Sequence, residues 1–381
     1  MKKLYKVLLP IILVLALVIG VFVYSASNRP STQDGITLER VQSILGSEFT
    51  TPKNIIVIIG DGMGSNDITL AQQYAEGVYD FGLVLNQIKN HGLSTTYSAD
   101  ADVTDSAASG TALSTGVKTN NGYIGKDSDG NDLKTMAELA REYGKKIGII
   151  TDEEVTGATP NAFVNHNISR DNRAELANAM IKFMPDVLMS KKYSTAAIAD
   201  AECRDLLDNT YLLAKDFSSF AEVLKSDPDG KKPFWGFLNG YSTDASDNLA
   251  QCTEIALERL QNDNGFFLLI ESAGTDKYGH NGHMRGKLSS VVTLDRTVAA
   301  VLKFMEKNPD TLLVITSDHE TGGVQLPVTG NEKLNDLLTV TEHTATPVRV
   351  FGVGKGTEYF SGKTVDNTDI AKFLIAAIKG E

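Results

Sequence analysis

The sequence predicts an α/β fold in which a doubly wound, mostly parallel central sheet is flanked by helices. Runs rich in Val, Ile, Leu and Phe occupy residues 53–60, 146–151, 266–271, 311–316 and 348–353, and such runs are typical of strands buried on both faces. Helical patterns separate most of these runs, and this alternation is typical of a parallel sheet with crossover helices. Carboxylates or histidines follow several runs, which places a site beyond the carboxyl ends of the strands.

The composition is that of a globular protein. The 381 residues are 42% hydrophobic and 22% charged, which is sufficient for a large core. The formal net charge of −12 argues against a nucleic-acid-binding role, because such a role usually needs a basic surface. It does not argue against an anionic substrate, since bound metal ions can reverse the charge of a local site.

The N-terminal residues 1–27 predict export from the cytoplasm. Basic residues precede an uncharged apolar run at 7–24, which is typical of either a cleaved signal peptide or a retained membrane anchor. We therefore expect an extracellular, cell-surface or periplasmic protein. Residues 28–52 are polar and predict a spacer that contains a short helix at 38–45. A single large domain is predicted over residues 53–381.

The remaining elements are predicted from periodicity and turn residues. A helix is expected to run through Phe163 and to carry His166 and Arg170 one turn apart. The segment 119–132 is polar and is expected to be a surface loop, and the pattern is weakest between residues 185 and 264. Further elements are predicted as helices at 68–79, from 106, 133–143, 196–207, 217–224, 248–260, 288–307 and 370–378, and as a strand at 234–238.

Side chains that bind metals follow the predicted strands. Because the carboxyl ends of parallel strands meet at one edge of a sheet, we expect these side chains to converge. Carboxylates with imidazoles suit zinc, whereas carboxylates with a hydroxyl suit magnesium. The sequence therefore predicts a metal site at this edge. Its candidate ligands are Asp61, Thr159, Glu271, Asp276, His280, Asp318, His319 and His343.

A hydroxyl lies beside a carboxylate at Asp105-Ser106, in front of the small residues 107–112. A helix that begins at Ser106 would direct free N–H groups and a partial positive charge toward a bound anion. Asp-Ser in front of a helix is also a common N-cap. The pair alone does not distinguish the two roles, but its combination with the metal ligands favours a nucleophile.

The sequence resembles the alkaline phosphatase family from about residue 53 to residue 378, most weakly at 185–264. Several spaced motifs carry the likeness, and their combination is highly specific. The motifs are Gly60-Asp61-Gly62-Met63-Gly64, Asp105-Ser106-Ala107, Ala158-Thr159-Pro160, the segment from Glu271 to His280, Ser317-Asp318-His319-Glu320, and Glu342-His343-Thr344. The resemblance implies that residues 53–381 are a catalytic domain.

The resemblance implies two zinc ions and one magnesium ion as cofactors. Ser106 would be the nucleophile, Arg170 would clamp two phosphate oxygens, and Lys277 would also contact phosphate. The implied ligand sets are Asp276, His280 and His343 for one zinc ion, Asp61, Asp318 and His319 for the other, and Asp61, Thr159 and Glu271 for magnesium.

The reaction implied by the resemblance is hydrolysis of phosphate monoesters through a phosphoserine, with release of inorganic phosphate. A serine hydroxyl is a weak nucleophile at its ordinary pKa, and metal coordination would activate it. The alternative is a phosphodiesterase or sulfatase of the same metal-dependent superfamily, although those enzymes use Thr or a modified Cys where Ser106 stands. A non-catalytic scavenger of zinc or phosphate would need the ligands but no nucleophile.

Two positions depart from the family pattern. Gly157 stands where the family usually has Asp or His, so Lys277 is expected to lack its partner and to reach phosphate more freely. Gly157→Asp is accordingly expected to tighten magnesium binding and to weaken phosphate binding. Thr321 replaces a His that some members have near the zinc ligands. His166 and His283 match no ligand, and we expect them to be ordinary polar residues.

The segment 322–342 is much shorter than the crown insertion that many family members carry there. In those members the insertion helps to form a dimer and covers the site. The sequence therefore does not determine whether this protein forms a homodimer or whether its site is enclosed. The two cysteines, Cys203 and Cys252, form either one disulfide in an exported protein or two unpaired thiols, and the sequence leaves both states open.

Overall fold

A computed structural model describes residues 36–78, 81–191, 198–238, 248–327 and 332–381. The strands within these ranges, numbered in chain order, are β1 Asn54–Gly60, β2 His91–Thr95, β3 Lys146–Glu154, β4 Val187–Lys191, β5 Leu212–Ala214, β6 Phe234–Phe237, β7 Phe266–Ser272, β8 Thr311–Thr316, β9 Glu320–Thr321, β10 His343–Thr344, β11 Val348–Val353 and β12 Thr364–Asp366. Ten of them form one sheet in the order β12-β2-β11-β8-β1-β7-β3-β4-β6-β5.

The helices of the described residues pack on both faces of this sheet. They are α1 Leu38–Leu45, α2 Ser65–Val78, α3 Ser106–Thr115, α4 Met136–Glu142, α5 Ala158–Ala162, α6 Arg173–Phe183, α7 Ala201–Asn209, α8 Phe220–Lys225, α9 Asn248–Leu260, α10 Gly274–His280, α11 Met284–Met305 and α12 Asn367–Lys379. Short 3₁₀ turns lie at Leu85–Gln87, Phe217–Ser219, Leu334–Leu337 and Thr357–Phe360.

Strand β1 shows why the apolar runs form the centre of the sheet. Every residue of β1 is buried, and β1 pairs in parallel with β7 on one side and β8 on the other. Ile56 and Ile58 pack into one hydrophobic cluster, whereas Val57 and Ile59 pack into a second. Since successive side chains of a strand point to opposite faces, the sheet has a core on each side. The predicted fold class is confirmed.

One edge of the sheet is mixed rather than parallel. Strand β11 runs antiparallel to β8 and to β2, and β12 pairs with β2 in parallel. Strands β2, β4, β5 and β12 were not predicted. Strand β2 alternates half-buried and buried residues, and β5 and β12 have three residues each. Strands β2, β5 and β12 therefore lack the continuous apolar runs that identified the central strands, whereas the first four residues of β4 are buried.

The predicted helix through Phe163 with His166 and Arg170 is wrong. Helix α5 ends at Ala162, and the chain does not become helical again until α6 begins at Arg173. Between them the chain forms a β-bridge, in which Asn167 and Ile124 exchange backbone hydrogen bonds of 2.8 Å. Both His166 and Arg170 therefore lie on a loop. Tertiary pairing of the backbone outweighs the local helical pattern here.

Cys203 and Cys252 are free and buried. Cys203 packs in the hydrophobic cluster that contains Val57, and Cys252 packs in the cluster that contains Ile56. These clusters lie on opposite faces of the sheet, so the fold contradicts a disulfide between the two cysteines. Burial, with a smaller effect of Asp200, raises the pKa of Cys203 to about 11, and burial also raises the pKa of Cys252.

The short helix predicted at 38–45 is present as α1, with Thr37 as its N-cap. The predicted signal peptide or anchor at residues 1–27 lies outside the described residues, as does the first part of the spacer. None of the helices in the described ranges has both the length and the apolar character needed to cross a membrane. The reduced crown segment joins β9 to β10, which pair antiparallel in a separate two-stranded sheet.

Candidate active site

The candidate ligands lie where the central strands end. Asp61 directly follows β1, Glu271 is the penultimate residue of β7, and Asp318 and His319 follow β8. Because β1 pairs in parallel with both β7 and β8, these three chain segments reach the same edge of the sheet. Asp276 lies on α10, immediately after β7. The predicted convergence at the carboxyl edge is confirmed for these segments.

Ser106 is the first residue of α3 and is buried, with 4% of its surface exposed. Asp105 is the N-cap, and its carboxylate accepts a hydrogen bond of 2.9 Å from the backbone N–H of Ala108. The Oγ atom of Ser106 lies 3.2 Å from Nε2 of His319. The role of Asp105 as a helix cap and the predicted role of Ser106 as a nucleophile are therefore compatible. Asp105 fixes the start of the helix, and the helix directs the Ser106 hydroxyl toward His319.

Ser106 lies in a cleft of about 400 Å³ that Arg170, Asp276, His280 and His343 also line. Nη1 of Arg170 donates a 3.0 Å hydrogen bond to Oδ2 of Asp105. This contact holds the guanidinium in the cleft although Arg170 lies on a loop. A guanidinium offers five N–H donors in a planar fork, so Arg170 is suited to bind an anion placed against Ser106.

The first candidate metal group consists of Asp276, His280 and His343, whose ligand atoms lie within 4.8 Å of one another. The two Nε2 atoms of His280 and His343 are 3.1 Å apart. They lie 3.2 Å and 3.3 Å from Oδ1 of Asp276. Thr321 donates a 2.6 Å hydrogen bond to the same oxygen. Thr321 therefore orients the carboxylate of Asp276 from the position where some family members have His.

Backbone carbonyls orient both imidazoles of the first group. Nδ1 of His280 is 2.5 Å from the carbonyl of Thr341, and Nδ1 of His343 is 2.9 Å from the carbonyl of Thr104. Since a carbonyl only accepts, each Nδ1 carries its proton and each Nε2 faces the group. Two imidazole nitrogens and a carboxylate thus converge on one point, and this donor set fits zinc.

The second candidate group consists of Asp61, Asp318 and His319, all buried. Nε2 of His319 lies 3.2 Å from Oδ2 of Asp318 and 3.5 Å from Oδ1 of Asp61. Neither carboxylate oxygen has a hydrogen-bond partner within the described part of the chain. Buried, unpaired carboxylate oxygens are costly, so the second group also fits a cation. The ring of His319 stacks on that of His343 with centroids 3.5 Å apart, which makes the first two groups neighbours.

Gly62 allows the chain to turn after Asp61. Its φ of +69° lies in the left-handed region, and a Cβ atom there would lie 2.8 Å from Cα of Asp276. Its N–H donates a 3.1 Å hydrogen bond to Oδ1 of Asp318. Glycine at position 62 is thus required both by the backbone conformation and by the close approach of the segment that carries Asp276.

The third candidate group consists of Asp61, Glu153 and Glu271, so Asp61 is shared with the second group. Thr159 is nearby on α5 and has only 1% of its surface exposed. Oγ1 of Thr159 and Oε1 of Glu271 are buried and have no hydrogen-bond partner among the described residues. Thr151 satisfies the other carboxylate oxygen of Glu271. A set of hard oxygen atoms with unused lone pairs fits magnesium.

Burial and mutual repulsion disfavour negative charge in these groups. Burial and then the charges of Asp318 and Asp276 raise the pKa of Asp61. Burial and then the charge of Glu153 raise the pKa of Glu271 to about 8. Burial also opposes ionisation of Asp276, but its contacts with the imidazoles outweigh this and lower its pKa. A bound cation would stabilise the ionised carboxylates, because it replaces protons at its ligands.

Glu153 was not identified from the sequence. The signal was present, since Glu153 lies at the end of a predicted strand as the other ligands do. Lys277 has no carboxylate partner at position 157, but its Nζ lies 2.7 Å from Oε1 of Glu153 and is therefore paired. Lys277 lines a separate cavity of about 220 Å³ that Asp152 and Lys191 share. The expected gain of freedom at Lys277 from Gly157 is thereby overturned.

His166 and His283 make structural contacts. Nδ1 of His166 is 2.8 Å from the carbonyl of Gly125, and its Nε2 is 3.2 Å from Glu138. Nδ1 of His283 accepts a 3.1 Å hydrogen bond from the N–H of Gly286 and caps α11. Neither histidine belongs to the three candidate metal groups of the described residues.

Comparison with known proteins agrees with this geometry. The family model described as alkaline phosphatase matches residues 52–198 and 239–338. Alkaline phosphatase H of Pseudomonas aeruginosa is 30% identical over 84% of this chain and 83% of its own. The structure of alkaline phosphatase from the Antarctic bacterium TAB5 has a TM-score of 0.73 at 28% identity and covers 87% of this chain and 99% of its own. A variant of that protein with Mg bound in the M3 site has a TM-score of 0.72 at 29% identity, with the same coverage.

The fold and the candidate metal groups at the carboxyl edge of the sheet therefore define a metal-dependent phosphatase. The matched residues extend over more than half of the chain and include all the candidate ligands except His343. The chain belongs to the alkaline phosphatase family, and it is a phosphoric monoester hydrolase.

Proposed function

We propose that the protein hydrolyses phosphate monoesters through a phosphoserine formed on Ser106, with two zinc ions and one magnesium ion as cofactors. The observation that carries this proposal is the position of the Ser106 hydroxyl, 3.2 Å from Nε2 of His319 and in a cleft shared with Arg170. A nucleophile beside two neighbouring cation-binding groups is the arrangement that in-line phosphoryl transfer requires.

The first half of the reaction transfers the phosphoryl group to Ser106. A bond forms between Oγ and phosphorus, the bond from phosphorus to the ester oxygen breaks, and the alcohol leaves with the proton lost by Ser106. In the second half, water attacks phosphorus opposite Oγ, the bond from phosphorus to Oγ breaks, Ser106 regains a proton from the water, and inorganic phosphate is released. The N-terminal N–H groups of α3 favour the negative charge of the phosphoryl group throughout.

Arg170 holds the phosphoryl group in place. Its fork matches two phosphate oxygens, and the hydrogen bond from its Nη1 to Asp105 restrains its orientation. Lys277 lines a cavity separate from the Ser106 cleft and pairs with Glu153, so the positive charge that it would contribute toward phosphate is weak. The residues grip only the phosphoryl group, so we expect broad specificity toward the alcohol.

The donor atoms support the assignment of the three cations. When bound, the ions supply charge neutralisation at the attacking and leaving oxygens and lower the pKa of coordinated hydroxyl and water. Within the chain, Asp276 and the carbonyls of Thr341 and Thr104 keep the imidazoles aimed at the first group. The proposed ligand sets are Asp276, His280 and His343 for one zinc ion, Asp61, Asp318 and His319 for the second, and Asp61, Thr159 and Glu271 for magnesium.

The basic start and the apolar run at 7–24 support a protein that works outside the cytoplasmic membrane. The run either is removed with a signal peptide or stays as an anchor. The mass of the mature protein and the cell fraction in which it is found distinguish the two. A full-length protein in the cytoplasmic fraction would contradict export.

Ser106→Ala tests the nucleophile. The variant should keep the fold and its metal content but form no phosphoenzyme after acid quenching, and it should lose at least about 10³-fold in kcat, since the serine acts as one unit with its activating groups. Thr115→Ala at the other end of the same helix is the matched control, because the hydroxyl of Thr115 bonds to the backbone of Thr111 and Val117, and this variant should form the phosphoenzyme. Phosphoenzyme formation in Ser106→Ala would refute the assignment.

Substrate class is tested with an aryl phosphate, the corresponding diester and the corresponding sulfate. The monoester should be hydrolysed fastest by the zinc- and magnesium-loaded protein, and chelation should abolish turnover. Faster hydrolysis of the diester or sulfate would favour the alternative hydrolase of the same superfamily.

A further inference from the structure

Gly157 leaves space that another side chain fills. It is the residue directly before α5, and its φ of −55° is accessible to any residue. A Cβ atom at position 157 would lie 3.1 Å from Oε2 and 3.3 Å from Cγ of Glu153. The backbone angle therefore does not require glycine here, but a side chain at position 157 would press on Glu153 and on the carbonyl of Glu154, 3.3 Å from the Cβ position, so Glu153 would have to shift by a few tenths of an ångström.

The backbone of β3 delivers Glu153 to this space. The register of β3 against β4 shifts between Ile150 and Glu154, and the N–H of Glu153 donates a 3.0 Å hydrogen bond to Oγ1 of Thr151. The hydroxyl of Thr151 in turn donates to Oε2 of Glu271. The same threonine thus holds the backbone of Glu153 on β3 and the carboxylate of Glu271 on the adjacent strand β7.

The side chain of Glu153 joins two charges. Its Oε1 lies 2.7 Å from Nζ of Lys277, and one of its oxygens lies within 4.8 Å of ligand oxygens of Asp61 and Glu271. Three carboxylates therefore meet one ammonium. The oxygen Oε1 of Glu271 and Oγ1 of Thr159 are at least 99% buried and lack hydrogen-bond partners among the described residues. Excess negative charge with unused buried oxygens indicates a cation.

We propose that Glu153 supplies the carboxylate that position 157 lacks. It binds the magnesium ion of the third group together with Asp61 and Glu271, and it holds Lys277 beside that ion. This inference rests on the proposed metal assignment, but it concerns a residue that the family motifs do not include. The carboxylate that some other family members have at position 157 is thus replaced by one four positions earlier, at Glu153. The absence of a Cβ atom at position 157 leaves room for the Glu153 side chain.

Glu153→Gln tests the inference because it keeps the size of the side chain and removes its charge. Protein stripped by a chelator is reloaded with zinc and titrated with Mg²⁺ by calorimetry, and bound zinc and magnesium are counted by elemental analysis. We expect magnesium binding about 10- to 100-fold weaker than in the parent protein, with zinc content unchanged. Wild-type magnesium affinity in Glu153→Gln would overturn the inference.

Glu154→Gln is the matched control. Glu154 is the next residue, its side chain is 48% exposed, and it lies 3.7 Å from Arg173 rather than in the third group. Magnesium affinity should be unchanged in this variant. An equal loss in Glu154→Gln and Glu153→Gln would show that a general loss of surface charge is responsible, and this result too would overturn the inference.

A transfer of the carboxylate back to position 157 gives a second, independent test. Glu153→Ala should lose magnesium affinity, and the double variant Glu153→Ala/Gly157→Asp should regain at least part of it. Gly157→Asp alone should not tighten magnesium binding, contrary to the expectation from the family pattern, because the new side chain meets Glu153. Failure of the double variant to recover any affinity would contradict an exchange between the two positions.

The same measurements separate this inference from the proposed function. A parent protein that binds zinc and magnesium while Glu153→Gln binds both equally well overturns only the role of Glu153. A parent protein that binds neither metal overturns the metal assignment and, with it, the role of Glu153.

Discussion

Replacement of Lys287 by methionine should destabilise the turn that carries Asp61. Lys287 lies on α11 with no exposed surface. Its Nζ donates a 3.0 Å hydrogen bond to the carbonyl of Gly62 and lies 2.5 Å from Oδ2 of Asp67. Asp67 also accepts a 2.8 Å hydrogen bond from the N–H of Gly64. One buried ion pair therefore holds both ends of the short turn that follows Asp61.

The expected loss follows from the burial of both partners. Methionine keeps the length of the side chain but leaves the carboxylate of Asp67 buried without its counter-charge, and breaking a buried pair in this way costs about 3–5 kcal/mol. Burial already raises the pKa of Asp67, and Lys287 opposes that rise. The loss should therefore be largest above the pKa of Asp67 in the variant and should shrink as the carboxylate becomes protonated at lower pH.

The measurement is the free energy of unfolding in urea at fixed zinc and magnesium concentrations, because bound metal stabilises the folded state. Lys303→Met on the same helix, where the side chain is only half-buried, should change stability by no more than about 0.5 kcal/mol. The double variant Asp67→Leu/Lys287→Met should recover part of the loss, since no charge is left unpaired. A loss below about 1 kcal/mol in Lys287→Met would refute the reasoning.

Two other predictions concern the metals and the response to acid. Asp318→Ala should bind about one zinc ion fewer per chain and lose activity. The control His283→Ala should keep its zinc content and its activity. Zinc loss in His283→Ala alone, measured by elemental analysis, would contradict the ligand assignment. Burial opposes ionisation of Glu138, but hydrogen bonds from His166 and from the Thr135 backbone lower its pKa to about 2, and Glu138 raises the pKa of His166. The stabilisation by Glu138 is lost as pH falls from 4.5 toward 2, and the stabilisation by His166 is lost as pH rises above 6.5. The difference in unfolding free energy between the parent protein and His166→Ala, measured in urea, should therefore be largest between pH 4.5 and pH 6.5. A difference that does not change with pH would contradict the pairing.

The central sheet and most of the site could be predicted from the sequence because their signals are local. A strand buried on both faces needs an unbroken apolar run, and β1 has one. Parallel strands deliver the residues that follow them to one edge, so the sequence alone predicts that Asp61, Glu271 and Asp318 meet. The spacing of Asp276 and His280 on one helical turn is equally local.

The edge strands and the loop that carries Arg170 could not be predicted in the same way. Strand β2 is stabilised by partners β11 and β12, which lie far along the chain, and its own alternation of burial is short and weak. Arg170 was expected on a helix, but the bridge between Asn167 and Ile124 takes the chain away from helical geometry. The role of Arg170 then depends on Asp105, 65 positions earlier.

The sequence by itself determined the central strands of the sheet and most of the chemical groups that meet at its carboxyl edge. Only the tertiary structure decided which carboxylate occupies the space beside Gly157 and which one pairs with Lys277. The family motif draws attention to position 157, whereas the space there is filled by Glu153 from the end of β3. The physical reason is that the order of residues determines which side chains reach a region, but the exact shape of the packed backbone, including the register shift in β3, determines which of them fits there.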